Sequence, residues 1–158
     1  MKTILTTLIL ILSMFALNAQ EENNSDLQKR FIGTWQRCIL NKDIIKVDTI
    51  TKKIDVDTIN IKTFNIYKYF GKGGDFNALY VNAYSSSVAI TGTYEVYSDK
   101  YIENVNHHFD PDLANKRVEL PYLSYGENYL IMSYMNGTGM SFLEVWKRVP
   151  LQDATEQQ

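Results

Sequence analysis

The chain has 158 residues, is 45% hydrophobic and 13% aromatic, and carries a formal charge of −2 at pH 7. A balance this mild, with the basic residues scattered, gives no charge-driven handle for nucleic acid or an anionic membrane surface. A single cysteine, Cys38, excludes an intramolecular disulfide framework.

Residues 1–19 read as a cleavable signal peptide: Lys2 gives the positive start, residues 4–16 are almost entirely apolar, and Ala19 is a small residue before the cut at Gln20. The apolar run is shorter than the roughly 20 residues a bilayer span needs, so no membrane anchor is expected. The mature protein is expected in the periplasm or secreted to the medium. Cleavage removes one base, Lys2, and no acid, which moves the charge from −2 to −3. About 140 residues remain, enough for one core without covalent staples. Residues 20–26 form a polar leader, with Ser25 or Asp26 placed to cap a short helical turn over residues 27–30.

From Phe31 onward Tyr, Ile, Val, Thr and Phe dominate, punctuated by turn residues roughly every ten positions. Gly71-Lys72-Gly73-Gly74-Asp75, Ser85-Ser86-Ser87, Ser98-Asp99-Lys100, Gly126-Glu127-Asn128 and Asn136-Gly137-Thr138-Gly139 are the clearest breaks. They delimit strands at 59–70, 76–83, 88–97, 101–107, 116–125, 129–135 and 141–149. Residues 31–40 add another, and 44–54 can hold one more. Val47-Asp48-Thr49-Ile50 recurs as Val56-Asp57-Thr58-Ile59, as two strands of one hairpin would. Residues 42–62 thus read as an extended hairpin or a flap over one end of the fold. No later stretch sustains a helical period. The expected fold is all-β: an up-and-down barrel or a sandwich would bury one face of each strand, and an antiparallel up-and-down barrel of eight to ten strands, which also leaves no open edge, is the expectation. The domain spans residues 27–149, followed by a polar tail at 150–158.

Phe31-Ile32-Gly33-Thr34-Trp35 resembles the Gly-x-Trp signature that opens the barrel of lipocalins and related calycins. Glu144-Val145-Trp146-Lys147-Arg148-Val149 resembles the closing strand of small secreted bacterial lipocalin-like domains of unknown function. Gly92-Thr93-Tyr94 and Tyr101-Ile102-Glu103 match two further strands of that group, so the resemblance spans residues 27–149. It implies an antiparallel barrel with a central cavity and assigns no chemistry. It also implies a structural closure by Gly33, Trp35, Trp146 and Arg148, with the Arg148 guanidinium over the Trp35 ring.

Eleven tyrosines suggest a cavity lined by Tyr67, Tyr69, Tyr80, Tyr94, Tyr101 and Tyr134, suited to a small apolar or amphipathic ligand. The competing reading is that tyrosine suits half-buried strands. Alternation puts Tyr101, Glu103, Val105 and His107 on one face, and Phe142, Glu144, Trp146 and Arg148 on another. Inward-facing Glu103 and Glu144 are polar anchors that need partners, with Arg117 and Arg148 as candidate cations, or else act as acid–base groups. His107-His108-Phe109-Asp110-Pro111-Asp112 gathers both histidines, but neighbours on a strand face opposite ways, and a turn at Asp110-Pro111 explains it better than a metal. Gly71-Lys72-Gly73-Gly74 lacks the helix of a phosphate-binding loop. No cofactor, metal or catalytic residue is assigned. A protein-interaction module with a filled barrel and a small acid–base enzyme are the alternatives to a ligand carrier.

Overall fold

The computed structural model describes residues 24–39, 45–47, 54–56, 62–135 and 141–150. The signal-peptide region, the tail beyond 150 and most of the 42–62 segment lie outside these residues. Helix α1 (Asn24–Phe31) is followed by β1 (Gly33–Cys38), β2 (Ile45–Val47), β3 (Ile54–Val56), β4 (Thr63–Phe70) and β5 (Asp75–Val81). Then come β6 (Ser86–Val96), β7 (Lys100–His108), β8 (Arg117–Tyr125), β9 (Tyr129–Met135) and β10 (Ser141–Arg148). A 3-10 turn, Pro111–Leu113, links β7 to β8.

Eight of the strands close an antiparallel barrel in the order β1-β10-β9-β8-β7-β6-β5-β4. Closure is made by β1, which pairs with both β10 (Trp35 opposite Arg148) and β4 (Gly33 opposite Phe70). β2 and β3 form a separate antiparallel pair, Ile45 opposite Val56 and Val47 opposite Ile54.

α1 starts earlier than the sequence suggests, taking in Asn24, Ser25 and Asp26 from the presumed leader. Asp26 in the first turn and Lys29 and Arg30 in the last suit the helix dipole, and Lys29 bridges back to Asp26 at 2.7 Å. Its apolar side consists of Leu27 and Phe31, four residues apart, both buried in the end of the barrel. Phe31 is fully enclosed, with ring centroids of Phe70, Tyr94, Tyr101 and Tyr122 within 5.0–6.3 Å. This aromatic layer fills one end of the barrel, the closed end. The opposite end carries the β5–β6 hairpin tip and the 3-10 turn.

Three irregularities in register bear on which side chains face inward: between β1 and β4, Gln36 faces Tyr67 but Cys38 faces Thr63, and β6 and β7 each carry a bulge. In β6 an extra residue, Ala89, stands between Val88 opposite Leu79 and Ile90 opposite Ala78. In β7 the extra residue is Asn106, since Thr91 faces His107 and Gly92 faces Val105. A bulge shifts side-chain alternation by one position.

Candidate functional site

Above the aromatic layer the interior turns polar. Lys68, at the middle of β4, and Glu103, on β7, are the only charged residues buried among the described residues. Lys68 Nζ donates to Glu103 Oε1 at 2.5 Å and to the Tyr101 hydroxyl at 3.3 Å. The rings of Phe70, Phe76, Tyr101 and Trp146 surround the ammonium at 5.1–5.9 Å. A cation removed from water needs such compensation, here a carboxylate, a hydroxyl and several π faces.

A second ion pair stands on the wall formed by β1 and β10. Arg37 Nη2 lies 3.0 Å from Glu144 Oε1, and the Trp146 indole N–H donates to Glu144 Oε2 at 3.1 Å. The Arg37 guanidinium also sits 5.9 Å from the Phe64 ring. Arg37 shares the inward face with Trp35, two positions earlier on the strand.

Over these pairs the described residues leave the barrel open. A cavity of about 240 Å³ is lined by Arg37, Lys68, Glu103 and Glu144 on its polar side. Ile90, Val118 and Leu120 line its apolar side, with Tyr80, His108 and Phe109 also in its lining. Tyr80 and Phe109 meet edge to face at 5.9 Å, and Phe109 is 63% exposed. His108 Nδ1 accepts the Asp110 backbone N–H at 2.9 Å.

The expected site residues separate in this geometry. Tyr80 lines the cavity, as do Glu103 and Glu144. Tyr94 and Tyr101 face inward but belong to the filled layer, where the Tyr94 hydroxyl donates to Gly71 O at 2.9 Å and burial raises its pKa. Tyr67 and Tyr69 point outward, because β4 turns Ile66, Lys68 and Phe70 inward. The Tyr67 hydroxyl accepts from Gln36 Nε2 at 3.0 Å, and Tyr69 is 42% exposed. The side chain of Tyr134 lies outside the described residues. The cations differ from those the sequence suggests: Arg117 pairs with Glu119 in an exposed bridge, and Arg148 is at the closed end. The Asn106 bulge also exchanges the histidines, so that His108 lines the cavity and His107 is exposed.

The reading of the sequence passed over Lys68 and Arg37. A Trp35 that faces inward takes Arg37 with it, which was available from alternation alone. With Tyr67 and Tyr69 as the inward phase of β4, Lys68 would face outward. The other phase, Ile66 and Phe70, is the more apolar one.

Of the residues expected at the closure, Gly33, Trp35 and Arg148 meet at the closed end, whereas Trp146 stands opposite Arg37, beside Lys68 and on Glu144. Arg148 lies over the Trp35 ring at 4.2 Å and donates to the carbonyls of Arg30, Ile32 and Glu127. Trp35 Nε1 donates to Phe31 O at 2.7 Å. Gly33 adopts φ +123°, and a Cβ there would stand 3.1 Å from Arg148 Nη1. A depression of about 460 Å³ outside this end, lined by Lys29, Arg30, Asn128 and Arg148, does not lead into the barrel, since Trp35 and Leu130 in its wall are buried core residues. Its cations are engaged: Lys29 with Asp26, and Arg148 with three carbonyls. The mouth cavity is therefore the better candidate. Among the described residues no cluster of three or more His, Cys, Asp and Glu is arranged to hold a metal ion.

Fold and cavity together define a class: a small closed antiparallel barrel, filled at one end and hollow over buried charges at the other. The family model for DUF4488, a domain of unknown function, matches residues 30–157, and the chain belongs to that family. No curated protein matches the chain.

Proposed function

We propose that this protein is an exported, lipocalin-like carrier that binds a small amphipathic ligand in the mouth cavity. The observation that carries the reading is the asymmetry of the interior: aromatic side chains fill one half, and about 240 Å³ stays open over two ion pairs in the other. A barrel built only for stability gains nothing from charges buried next to a void. The volume is below the roughly 300–1,000 Å³ of drug-sized sites, so the ligand is compact and no long acyl chain is implied. The charged floor makes the ligand amphipathic and argues against a wholly apolar one. Acid–base catalysis is less well supported, because Glu103 and Glu144 each hold a cation of their own. Export rests on the N-terminal pattern of residues 1–19.

The test is native mass spectrometry of mature protein purified gently from its own host, before and after denaturation. A copurifying small molecule is expected, and it should be missing from a Val118→Trp variant whose indole fills the cavity. Bare wild-type protein, still bare after exposure to host extract, would instead favour a protein-interaction module.

A further inference from the structure

We infer that the head group bound in this cavity is a carboxylate seated on Arg37; the inference rests on the ligand reading above. The hydrogen-bonding capacity of the four charged groups is unevenly spent. Lys68 has committed two of its three N–H donors to Glu103 and Tyr101 and is wrapped by four rings. Glu144 has both oxygens engaged, one by Arg37 and one by the Trp146 indole. Arg37 differs. Among the described residues it meets only Glu144, through one nitrogen, and the face of Phe64. A guanidinium offers five N–H donors in a planar fork, so among the described residues most of this fork is uncommitted where Arg37, its side chain 32% exposed, lines the cavity.

A planar fork held by a carboxylate and an aromatic ring at the edge of a cavity matches a second carboxylate in a two-pronged contact. The charge count limits the ligand to a single charge. Arg37 and Lys68 balance Glu103 and Glu144, so a monocarboxylate leaves the site at −1, whereas a dianion such as a phosphate monoester leaves it at −2 beside two fixed carboxylates. The apolar part of the ligand has its own wall. In the closed barrel β6 and β8 each lie three strands from β1, on the far side of the interior from Arg37. From there Ile90, Val118 and Leu120 line the cavity. The ligand is thus a compact monocarboxylate with an apolar body lying across the mouth.

The test uses matched probes on the mature protein by isothermal titration calorimetry: 3-phenylpropionate against 3-phenylpropionamide, and hexanoate against hexanamide. Each acid is expected to bind about tenfold or more tightly than its amide, the scale of one charge-assisted pair. Arg37→Gln should bring acid and amide to equal affinity, and Arg37→Lys should restore only part of the difference because the fork is gone. Equal affinity of acid and amide in the wild type overturns the carboxylate assignment and leaves the cavity reading standing; this comparison needs no variant to fold. A preference for acid that survives in Arg37→Gln also overturns it. If none of the four probes binds at millimolar concentration, both readings fall.

Discussion

Lys68 and Glu103 hold each other in place inside a wall of aromatic rings, and neither has bulk water to fall back on. Removing one partner leaves a buried, unpaired charge, while removing both leaves an apolar gap. Lys68→Met or Glu103→Gln alone should therefore cost about 3–5 kcal/mol in urea unfolding. The double variant Lys68→Met/Glu103→Leu should recover most of that loss. Additive losses in the cycle would show that the two side chains act separately. At the closed end Arg148 combines one stacking contact with three backbone acceptors, the carbonyls of Arg30, Ile32 and Glu127. Arg148→Ala should destabilise by about 2–4 kcal/mol, since it removes charged hydrogen bonds and a cation–π contact together. Arg148→Lys should rescue little of it, because an ammonium cannot span three acceptors on a planar fork. Near-wild-type stability of the lysine variant would contradict that account.

At the level of the strands, inward and outward faces are decided by phase, and phase is where sequence and structure part. The order and limits of the strands were readable: residues 129–135 form β9 as read, and residues 63–70 form β4 within the expected 59–70. Regular turn residues and β-branched runs make this possible. In β4 both phases contain aromatic residues, so only the greater apolarity of Ile66 and Phe70 separates that phase from Tyr67 with Tyr69, and Lys68 between them offsets that signal. In β7 the reading from Tyr101 inward holds through Val105 and fails at the histidines, because one unpaired residue, Asn106, reverses the alternation. Gly92 shows why the bulge sits there. A Cβ at this position would lie 2.2 Å from Asn104 O and 2.8 Å from the Phe76 ring, so the two strands approach as only glycine permits. Gly92→Ala should force β6 and β7 apart, cost about 2 kcal/mol or more, and disturb amide signals from Asn104 to His108. Unchanged amide shifts over that stretch would mean the contact relaxes elsewhere.

For the molecule as a whole, burial of weak acids ties stability to alkaline pH. Desolvation pushes the Cys38 thiol up to about 11, partly opposed by Lys147, and burial also raises Tyr94 and Tyr129. Each group keeps its proton in the folded protein at a pH where the unfolded chain releases it. The unfolded state then binds fewer protons, and stability falls as pH rises. The urea midpoint should begin to fall at about pH 8, where an unfolded thiol starts to ionise, and decline from there towards 11. Cys38→Ala should flatten the early part of that decline, and the native thiol should resist alkylation at pH 8 until the protein is unfolded. A midpoint that stays level from pH 8 to 11 would show these groups to be hydrated in the folded state.

The all-β class and the run of strands along the chain were legible in the sequence itself, and the meeting of the first and last strands was implied by the resemblance to a closed barrel. Local composition and turn chemistry act over a few residues, and a barrel, once closed, must bring Trp35 beside the Arg148 end. The ion pairs inside were not legible in this way. Lys68 meets Glu103 across 35 positions of sequence, and Arg37 meets Glu144 across more than a hundred. Which cation faces which acid depends on barrel stagger, on three breaks in register and on the phase of β4. These follow from how the whole set of side chains packs, and so only the tertiary structure decided where the barrel is filled, where it is hollow and which charges line the cavity.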